Sequence, residues 1–317
     1  MEMVEEKIKV GISSCLIGEV VRFDAGHKRN SFIMSVLASH FEFVPFCPEM
    51  AIGLGTPREA IRLVSVNGEV RAVGSKTKTL DVTEKLKDCS EQQRHWHQEL
   101  CGYVFKKDSP SCGMERVKLY KNDMPERIGV GLYAAGLMKS FPHLPVEEEG
   151  RLGDPVLREN FIQRVFVYAR WNSLINSDFC WKTLTGFHAN HKYIYMSHNQ
   201  KMAQELGQWL AENNRASNEE LKEAYLTKMM RLLKERATRK NHANTLGHIQ
   251  GYLKNSIDKD DKQELIEVLD QYRRGLLPLV VPITLLRHHF RKFPHPYITD
   301  TYYMQPHPSE LMLLNNL

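Results

Sequence analysis

Short apolar runs alternate with helix-like repeats over the first half of the chain. The apolar runs at residues 8–12 and 43–46 predict strands. Apolar side chains at three- and four-residue spacing predict helices over residues 31–37 and 91–105, and residues 128–132 predict a further strand. Strands that alternate with helices favour an α/β domain with an open, Rossmann-like sheet, whose ligand crevice lies at the carboxyl ends of its strands.

The second half of the chain has an almost wholly helical pattern. Residues 140–154 are rich in Pro, Glu and Gly and are the best candidate for a linker. Beyond this segment the apolar spacing predicts helices over residues 160–174, 201–211, 218–239, 246–257 and 262–272. A length of 317 residues suits two domains. We therefore predict an α/β domain over residues 1–150 and a mainly α-helical domain over residues 151–317.

Three cysteines stand in turn-like settings of the predicted α/β domain. Cys15 and Cys47 each follow a predicted strand, and Cys112 lies in a Ser-Pro-Ser-Cys-Gly break. Gly, Pro and Ser neighbours hold a thiol at the end of an element, near free backbone N–H groups, which favours thiolate and metal–sulfur bonding over core packing. If all three turns lie at the carboxyl edge of one sheet, the three thiols can meet in one crevice.

Polar groups share these turns with the thiols. Glu49 follows Cys47 by two residues, and Ser109 and Ser111 precede Cys112. Each also has a purely structural interpretation: Glu49 can be the first-turn carboxylate of a helix that begins at Pro48, and Ser109 can simply start a Ser-Pro turn.

The cysteines themselves leave two interpretations open. Separated cysteines in such a domain also occur as ordinary thiols, and the chain has no C-x-x-C pair of the kind that identifies a structural zinc site. The other three cysteines, Cys89, Cys101 and Cys180, have helical or apolar neighbours and are predicted to pack rather than to join the site.

Composition and charge narrow the class of protein. Hydrophobic residues make up 42% and charged residues 26% of the chain, and no segment reaches the roughly 20 apolar residues of a membrane span. The acidic start lacks a secretion signal, so we expect a cytoplasmic protein whose six cysteines are free or bind metal. Residues 1–150 carry 20 Lys and Arg against 21 Asp and Glu, whereas residues 151–317 carry 23 against 17. A positive second half indicates an anionic partner, usually nucleic acid.

The second half also holds candidate RNA contacts. The basic candidates lie at the end of the helix predicted over residues 218–239: Lys234, Arg236, Arg239 and Lys240. A solvated helix face would look similar. Aromatic and polar residues form a possible stacking surface, with core packing as the alternative: Trp171, Trp181, His188, His191, Lys192 and Tyr193. His242 and His248 are predicted to be core histidines rather than metal ligands.

The cysteine motifs resemble those of the iron–sulfur thiouracil desulfidase family. The resemblance covers residues 8 to about 145, and its motifs are Ser14-Cys15-Leu16, Val21-Arg22-Phe23-Asp24, Cys47-Pro48-Glu49 and Ser109-Pro110-Ser111-Cys112-Gly113. The second half, from about residue 157, resembles an uncharacterised helical domain that occurs alone or fused behind the desulfidase domain. Residues 186–193, 242–252 and 272–286 carry that resemblance. Together the halves are similar to bacterial desulfidases that remove sulfur from 4-thiouridine in tRNA.

The resemblance implies a cofactor and a reaction. Cys15, Cys47 and Cys112 would bind a [4Fe-4S] cluster through three of its irons and leave the fourth open. Glu49 and Ser109 would be the catalytic pair. An open iron binds soft sulfur, and water deprotonated by Glu49 could then replace the sulfur at carbon without net redox change. The implied partner is tRNA or a thionated nucleobase or nucleoside, and the products are uridine and hydrogen sulfide.

Two other functions remain open at this point. A sulfur-inserting enzyme could use the same open cluster, but it would normally need an ATP-binding loop, and no Gly-rich loop ending in Lys-Ser/Thr is present in the sequence. A cluster-bearing, RNA-binding protein without enzymatic activity would show no turnover of a thiolated substrate.

Overall fold

The computed structural model describes residues 7–77, 79–308 and 311. The chain divides into two compact units, Met1–Asp154 and Pro155–Leu317. Residues 140–154, the predicted linker, contain the strand Val146–Glu148 of the first unit. The glutamates at residues 147–149 bond to other residues of this unit rather than to solvent.

The first unit contains two four-stranded sheets. Its elements are β1 (Ile8–Ser13), α1 (Ser31–Ser35), β2 (Phe41–Phe46), α2 (Pro48–Ala51), β3 (Ile61–Val66), β4 (Glu69–Gly74), α3 (Thr83–Gln92), α4 (Arg94–His97), β5 (Gly102–Phe105), β6 (Val117–Lys121), β7 (Met124–Gly129), α5 (Leu132–Ser140) and β8 (Val146–Glu148). The first sheet has the order β2-β1-β5-β8 and is parallel throughout. This sheet confirms the predicted α/β class.

Burial explains the make-up of the parallel sheet. Every residue of β5 is buried, as expected for an inner strand of a parallel sheet. Gly11 in β1 allows the ring of Tyr103 to pack directly against the backbone, since a Cβ at this position would lie 2.3 Å from that ring. Any larger residue at position 11 would therefore force β1 and β5 to shift.

The strand order creates a crevice at one edge of this sheet. β2 lies on one side of β1, and β5 lies on the other. The strands that follow β1 in the chain are therefore added to opposite sides of it, which makes β1 the switch point of the sheet. Ligands of open α/β sheets bind at such a switch point, outside the carboxyl ends of the strands. The backbone N–H of Lys106 donates to Ser13 Oγ at 3.0 Å and ties the ends of β1 and β5 together there.

The second sheet lies outside what the sequence patterns predicted. Its order is β4-β3-β6-β7, with antiparallel β3–β4 and β6–β7 hairpins joined by a parallel β3–β6 pair. Both hairpin turns have two residues of positive φ, Asn67-Gly68 and Asn122-Asp123, as a tight hairpin requires. Two predicted elements are also wrong in part: the helix predicted over residues 91–105 ends before the strand β5, and the strand predicted over residues 128–132 runs into α5.

The second unit is helical, as predicted. Its elements are α6 (Pro155–Ile175), α7 (Trp181–His198), α8 (Gln200–Glu212), α9 (Asn218–Lys234), α10 (Arg239–Gln250), α11 (Lys259–Arg273), α12 (Val280–Lys292) and α13 (Pro296–Thr299). The helix predicted over residues 218–239 ends early, because Thr238 caps a new helix by accepting from the backbone N–H of Asn241. No helix in the described part of the chain is long and apolar enough to cross a membrane.

Candidate active site

Three cysteines from separate strand ends line one cavity in the first unit. Cys15 lies in the 3-10 turn Ser14–Leu16 directly after β1, and Cys47 directly follows β2 and caps α2. Cys112 lies in the loop after β5, between Ser111 and Gly113. The cavity has a volume of about 330 Å³, a size typical of small-molecule sites. The structure thus brings together the three thiols that the sequence singled out.

The three thiols are free and are not ionised by their surroundings alone. Burial raises the pKa of Cys15 to about 11, although Lys106 opposes this shift. Burial also raises the pKa of Cys47, against the effect of the Met50 backbone N–H, and it raises the pKa of Cys112 well above its ordinary value. A charge on Cys47 also raises the pKa of Cys15 and of Cys112.

The chemistry of this donor set fits an iron–sulfur cluster. Within the described ranges, no group of three or more His, Cys, Asp or Glu side chains is placed to hold a single metal ion. Three thiols that line one cavity match a cluster in which each thiolate binds its own iron. The positive iron would also offset the burial that keeps these thiols protonated, since metal binding requires the thiolate form. Cys15, Cys47 and Cys112 are the residues that would hold it.

Glu49 is fixed at the cavity from two sides. It lies in the first turn of α2, and its side chain is 13% exposed. Arg58 donates to Glu49 Oε2 through Nε at 3.0 Å and through a terminal nitrogen at 2.7 Å. The hydroxyl of Ser111 donates to Glu49 Oε1 at 2.7 Å. Glu49 is therefore both a helix-start carboxylate and a positioned group of the cavity.

Ser109 and Ser111 continue this network. Ser109 Oγ accepts from the backbone N–H of Cys112 at 3.1 Å, which is the turn predicted from the Ser-Pro sequence. The Ser109 and Ser111 hydroxyls lie 3.0 Å apart. Hydrogen bonds thus connect Ser109 through Ser111 to Glu49. Gly131 lets the start of α5 pack on this loop, because a Cβ there would lie 2.5 Å from the Ser111 backbone.

Positive side chains also line the cavity. Lys106 is largely buried and pairs with Glu149 Oε1 at 2.5 Å, and its charge acts on Cys15. Arg22 lines the cavity as well and lowers the pKa of Cys15 in the same direction. These cations favour the thiolate form of Cys15 and a negatively charged leaving group beside it.

Arg58 and Lys106 are members of the site that sequence reasoning missed, and Arg58 is the one that holds Glu49. It stands in the loop between α2 and β3, and a terminal nitrogen also donates to the carbonyl of Gly55 at 2.6 Å. Its side chain is only 6% exposed. A lone arginine in a Gly- and Pro-containing loop gives no periodic or motif signal, so the fold alone reveals its partner.

The remaining cysteines stay outside the cavity. Cys89 and Cys101 are buried, as predicted from their neighbours. Cys180 was also predicted to pack, and this is wrong: it caps α7 and is exposed. Hydrogen bonding to the Thr183 backbone N–H lowers its pKa.

The candidate RNA residues of the second unit have mixed settings. Lys234, Arg236 and Lys240 are exposed. Arg239 is half-buried, with its guanidinium 5.3 Å from the centre of the Tyr272 ring and donating to the Tyr272 carbonyl at 3.1 Å. It therefore stabilises the fold whether or not it also binds a phosphate.

The predicted stacking surface is not one surface. Trp171, His191 and Tyr193 belong to the core, and His188 bonds the Tyr225 hydroxyl at 3.0 Å. Only Trp181 and Lys192 of that set are exposed.

The two histidines of α10 also differ from each other. His242 is buried against the Tyr303 hydroxyl at 2.8 Å, as predicted for a core histidine. His248 is exposed, and its predicted place in the core is wrong. It points away from the apolar stripe of its helix.

Two family models match separate parts of the chain. Residues 10–149 match the family model described as 2-thiouracil desulfurase, and residues 192–308 match the model of a protein family of unknown function, DUF1722. The chain is also similar to the uncharacterized protein YbgA of Escherichia coli. The two are 28% identical over 131 residues, which are 41% of this chain and 78% of that protein. The uncharacterized protein YbbK of Bacillus subtilis is 29% identical over 110 residues, 32% of this chain and 71% of that protein.

One solved structure also aligns with part of the chain. It is the [4Fe-4S]-dependent thiouracil desulfidase TudS, with 29% identity, a TM-score of 0.38, and coverage of 47% of this chain and 95% of that one. The resemblance stated from the sequence is confirmed by the two family models: a region similar to 2-thiouracil desulfurases precedes a helical region similar to DUF1722.

Proposed function

From the match of residues 10–149 to 2-thiouracil desulfurases, we propose that the protein is a [4Fe-4S]-dependent desulfidase of thionated uracil, and that its substrate is 4-thiouridine in tRNA. The observation that carries the proposal is the convergence of Cys15, Cys47 and Cys112 with Glu49 on one cavity at the carboxyl edge of a parallel sheet. The products are uridine and hydrogen sulfide.

The cofactor supplies one kind of chemistry. When bound by the three cysteines, the cluster offers one iron without a protein ligand, a Lewis acid suited to soft sulfur. The remaining work falls to side chains of this chain, of which Glu49, Ser111 and Ser109 are already connected by hydrogen bonds.

Glu49 has the geometry of a general base for water. Arg58 donates two hydrogen bonds to Oε2, which fixes the carboxylate in place, while Oε1 accepts from Ser111 and keeps a second lone pair. A water beside Glu49 can give up a proton to it as its oxygen bonds to the thiocarbonyl carbon.

The serines provide a route for that proton. The Ser111 hydroxyl donates to Glu49 before the reaction, so the route opens when both serine hydroxyls rotate. Protonated Glu49 then donates to Ser111, Ser111 passes its own proton to Ser109 at 3.0 Å, and Ser109 passes its own proton to the departing sulfur. The added hydroxyl then loses its proton to Glu49 and becomes the carbonyl as the carbon–sulfur bond breaks. This second proton follows the same route, so both protons of water leave with sulfur as hydrogen sulfide. The atoms balance with water alone, so the reaction needs neither oxidant nor reductant. Lys106 and Arg22 would stabilise negative charge on the leaving sulfide.

The assignment of tRNA as substrate rests on the charge of the helical unit. Residues 151–317 carry 23 Lys and Arg against 17 Asp and Glu, and Arg236 and Lys240 are exposed. Neutralised phosphates make an RNA complex sensitive to salt. Free thiols in the cavity also suit a reducing cytoplasm, where we place the reaction.

The test is turnover by anaerobically reconstituted full-length protein. We expect it to convert 4-thiouridine in tRNA to uridine, as measured by nucleoside analysis after digestion, and to act less efficiently on the free nucleoside. Turnover of free thiouracil with none on thiolated tRNA would overturn the tRNA assignment. A protein that holds the cluster and acts on no thionated pyrimidine would overturn the enzyme assignment.

A further inference from the structure

The helical unit has a cleft that is distinct from the cysteine cavity of the first unit. It lies among α7, α10, the turn Gly251–Leu253 and the segment before α13, and has a volume of about 530 Å³. The residues that line it and matter here are Lys192, His248, Tyr252, Lys254, Asn255 and His295. No carboxylate occurs among the described residues that line this cleft.

The two lysines of this cleft are unpaired cations. Lys192 and Lys254 are exposed, and neither forms an ion pair with a residue in the described part of the chain. Other lysines of the same unit differ: Lys222 pairs with Glu219 at 2.8 Å, and Lys201 lies 3.8 Å from Glu205. Two unpaired cations around one cleft without acidic residues favour an anionic ligand.

An aromatic ring is held beside these cations. Tyr252 is 37% exposed, which is high for a large aromatic residue. Its hydroxyl accepts from Tyr193 at 3.2 Å, and the rings of His295 and Tyr297 approach it at 4.6 and 5.9 Å. Packing fixes this ring and leaves part of its surface open for stacking. His295 Nδ1 is buried and has no hydrogen-bond partner among the described residues.

We propose that this cleft binds a nucleotide of an RNA strand, with Lys192 and Lys254 on phosphates and an unstacked base against Tyr252. Proteins that bind single-stranded RNA stack its bases on aromatic rings and contact its phosphates with nearby positive side chains. The cleft is open rather than enclosed, which suits one nucleotide of a continuous strand. The inference rests on the proposed function, since it names the surface that would hold the RNA substrate.

The test uses full-length, cluster-loaded protein and 4-thiouridine-containing tRNA. Binding is measured by fluorescence anisotropy across a salt series, alongside KM for the tRNA and for the free nucleoside. For Lys192→Gln/Lys254→Gln we expect the slope of log affinity against log salt to flatten by about 1.4 to 1.8, the effect of two lost phosphate contacts. Its KM for tRNA should rise while its kinetics on the nucleoside stay unchanged.

Matched variants separate the cleft from net charge and from folding. Lys201→Gln/Lys222→Gln removes the same charge at acid-facing positions and should keep the wild-type slope. Tyr252→Ala should weaken tRNA binding by about 5- to 150-fold, the loss of one stacked base. Tyr252→Phe keeps the ring and should bind as wild type does.

The outcomes distinguish this inference from the function on which it rests. If the wild type binds and desulfurates tRNA, and the Lys192/Lys254 and Tyr252→Ala variants match it in slope and affinity, the cleft assignment is wrong and the proposed function stands. If the wild type binds tRNA through this cleft but releases no sulfide from it, the proposed function is wrong instead. A wild type without affinity for tRNA contradicts both.

Discussion

Removal of the Ser111 hydroxyl would test whether the network around Glu49 serves the reaction. Ser111 is 1% exposed, donates to Glu49 Oε1 at 2.7 Å and lies 3.0 Å from the Ser109 hydroxyl. Ser111→Ala leaves the Arg58 contacts to Oε2 in place and breaks both the support of Oε1 and the link to Ser109. The carboxylate would remain at the cavity with one oxygen no longer oriented.

The size of the effect follows from the bond that is lost. A hydrogen bond to a charged group contributes about 1.5–3 kcal/mol, and about 1.4 kcal/mol corresponds to tenfold in rate. If that stabilisation serves the transition state, kcat should fall by about 10- to 150-fold. KM should change little, because Ser111 orients the base rather than binding substrate.

The assay is steady-state sulfide release from a free thionated uracil, with iron content measured on the same sample. Ser35→Ala is the matched control, since this serine is exposed and its hydroxyl donates to the Ser31 carbonyl of its own helix. Wild-type kcat in Ser111→Ala with full iron content would refute the role of the network. A loss of iron in the variant would show instead that Ser111 supports Cys112, whose sulfur lies 3.7 Å from its hydroxyl.

Four further predictions concern the ligands, the catalytic pair, the unit boundary and the thiols. Cys15→Ala, Cys47→Ala and Cys112→Ala should each lose the cluster on anaerobic reconstitution, whereas Cys89→Ala should keep it; full iron and visible absorption in one of the three would remove that residue from the ligand set. Glu49→Ala should retain the cluster and lose turnover by about 100- to 10,000-fold, as for a lost general base, and near-native rates would place the base elsewhere. Ser109→Ala should also retain the cluster and should lose turnover by about 10- to 150-fold, as expected for Ser111→Ala, because both variants interrupt the same hydrogen-bonded route. A cut after Asp154 should leave a first unit that acts on free thiouracil but poorly on tRNA, and an isolated second unit without salt-dependent affinity for tRNA would contradict this division. In metal-free protein, the Cys180 thiol should be alkylated faster than the Cys15 thiol at neutral pH, because hydrogen bonding lowers the pKa of Cys180 while burial raises that of Cys15 to about 11; equal rates, measured by mass spectrometry of labelled peptides, would contradict these pKa shifts.

The parallel sheet and its cysteines could be predicted because their signals are local. β1 and β2 are short apolar runs: β1 ends at Ser13, and Cys47 directly follows β2. The carboxyl ends of parallel strands lie at one edge of the sheet. The strand β5 was missed because four apolar residues after a helical stretch fit either pattern. Its recognition needs the partner strands, which the sequence does not display.

The second sheet was missed for a different reason. β7 has exposed residues at all positions except Gly129, so it lacks the alternation that indicates a half-buried strand. The Asn67-Gly68 pair is a hairpin signal in the sequence, but it indicates only the turn and not the strands beside it.

The acidic run at residues 147–149 illustrates how tertiary partners override composition. Three successive glutamates are typical of a solvated linker, yet all three have partners in the first unit. Glu147 pairs with Arg151, Glu148 accepts from the Met114 backbone N–H at 2.8 Å, and Glu149 accepts from Lys107 N–H at 2.7 Å. A cut near residue 149 would therefore damage the cavity side of the first unit, so the boundary for truncation belongs after Asp154.

Hydrolytic removal of sulfur from a thionated uracil, by a cluster that three thiolates hold, is tested most directly by the balance of products from 4-thiouridine-containing tRNA. The reaction is run under anaerobic conditions and without ATP, oxidant or reductant. We expect one hydrogen sulfide and one uridine for each 4-thiouridine consumed by the cluster-loaded protein, and neither product from Cys47→Ala. Equal turnover by the cluster-free variant, or product formation only when ATP or a redox partner is added, would contradict it.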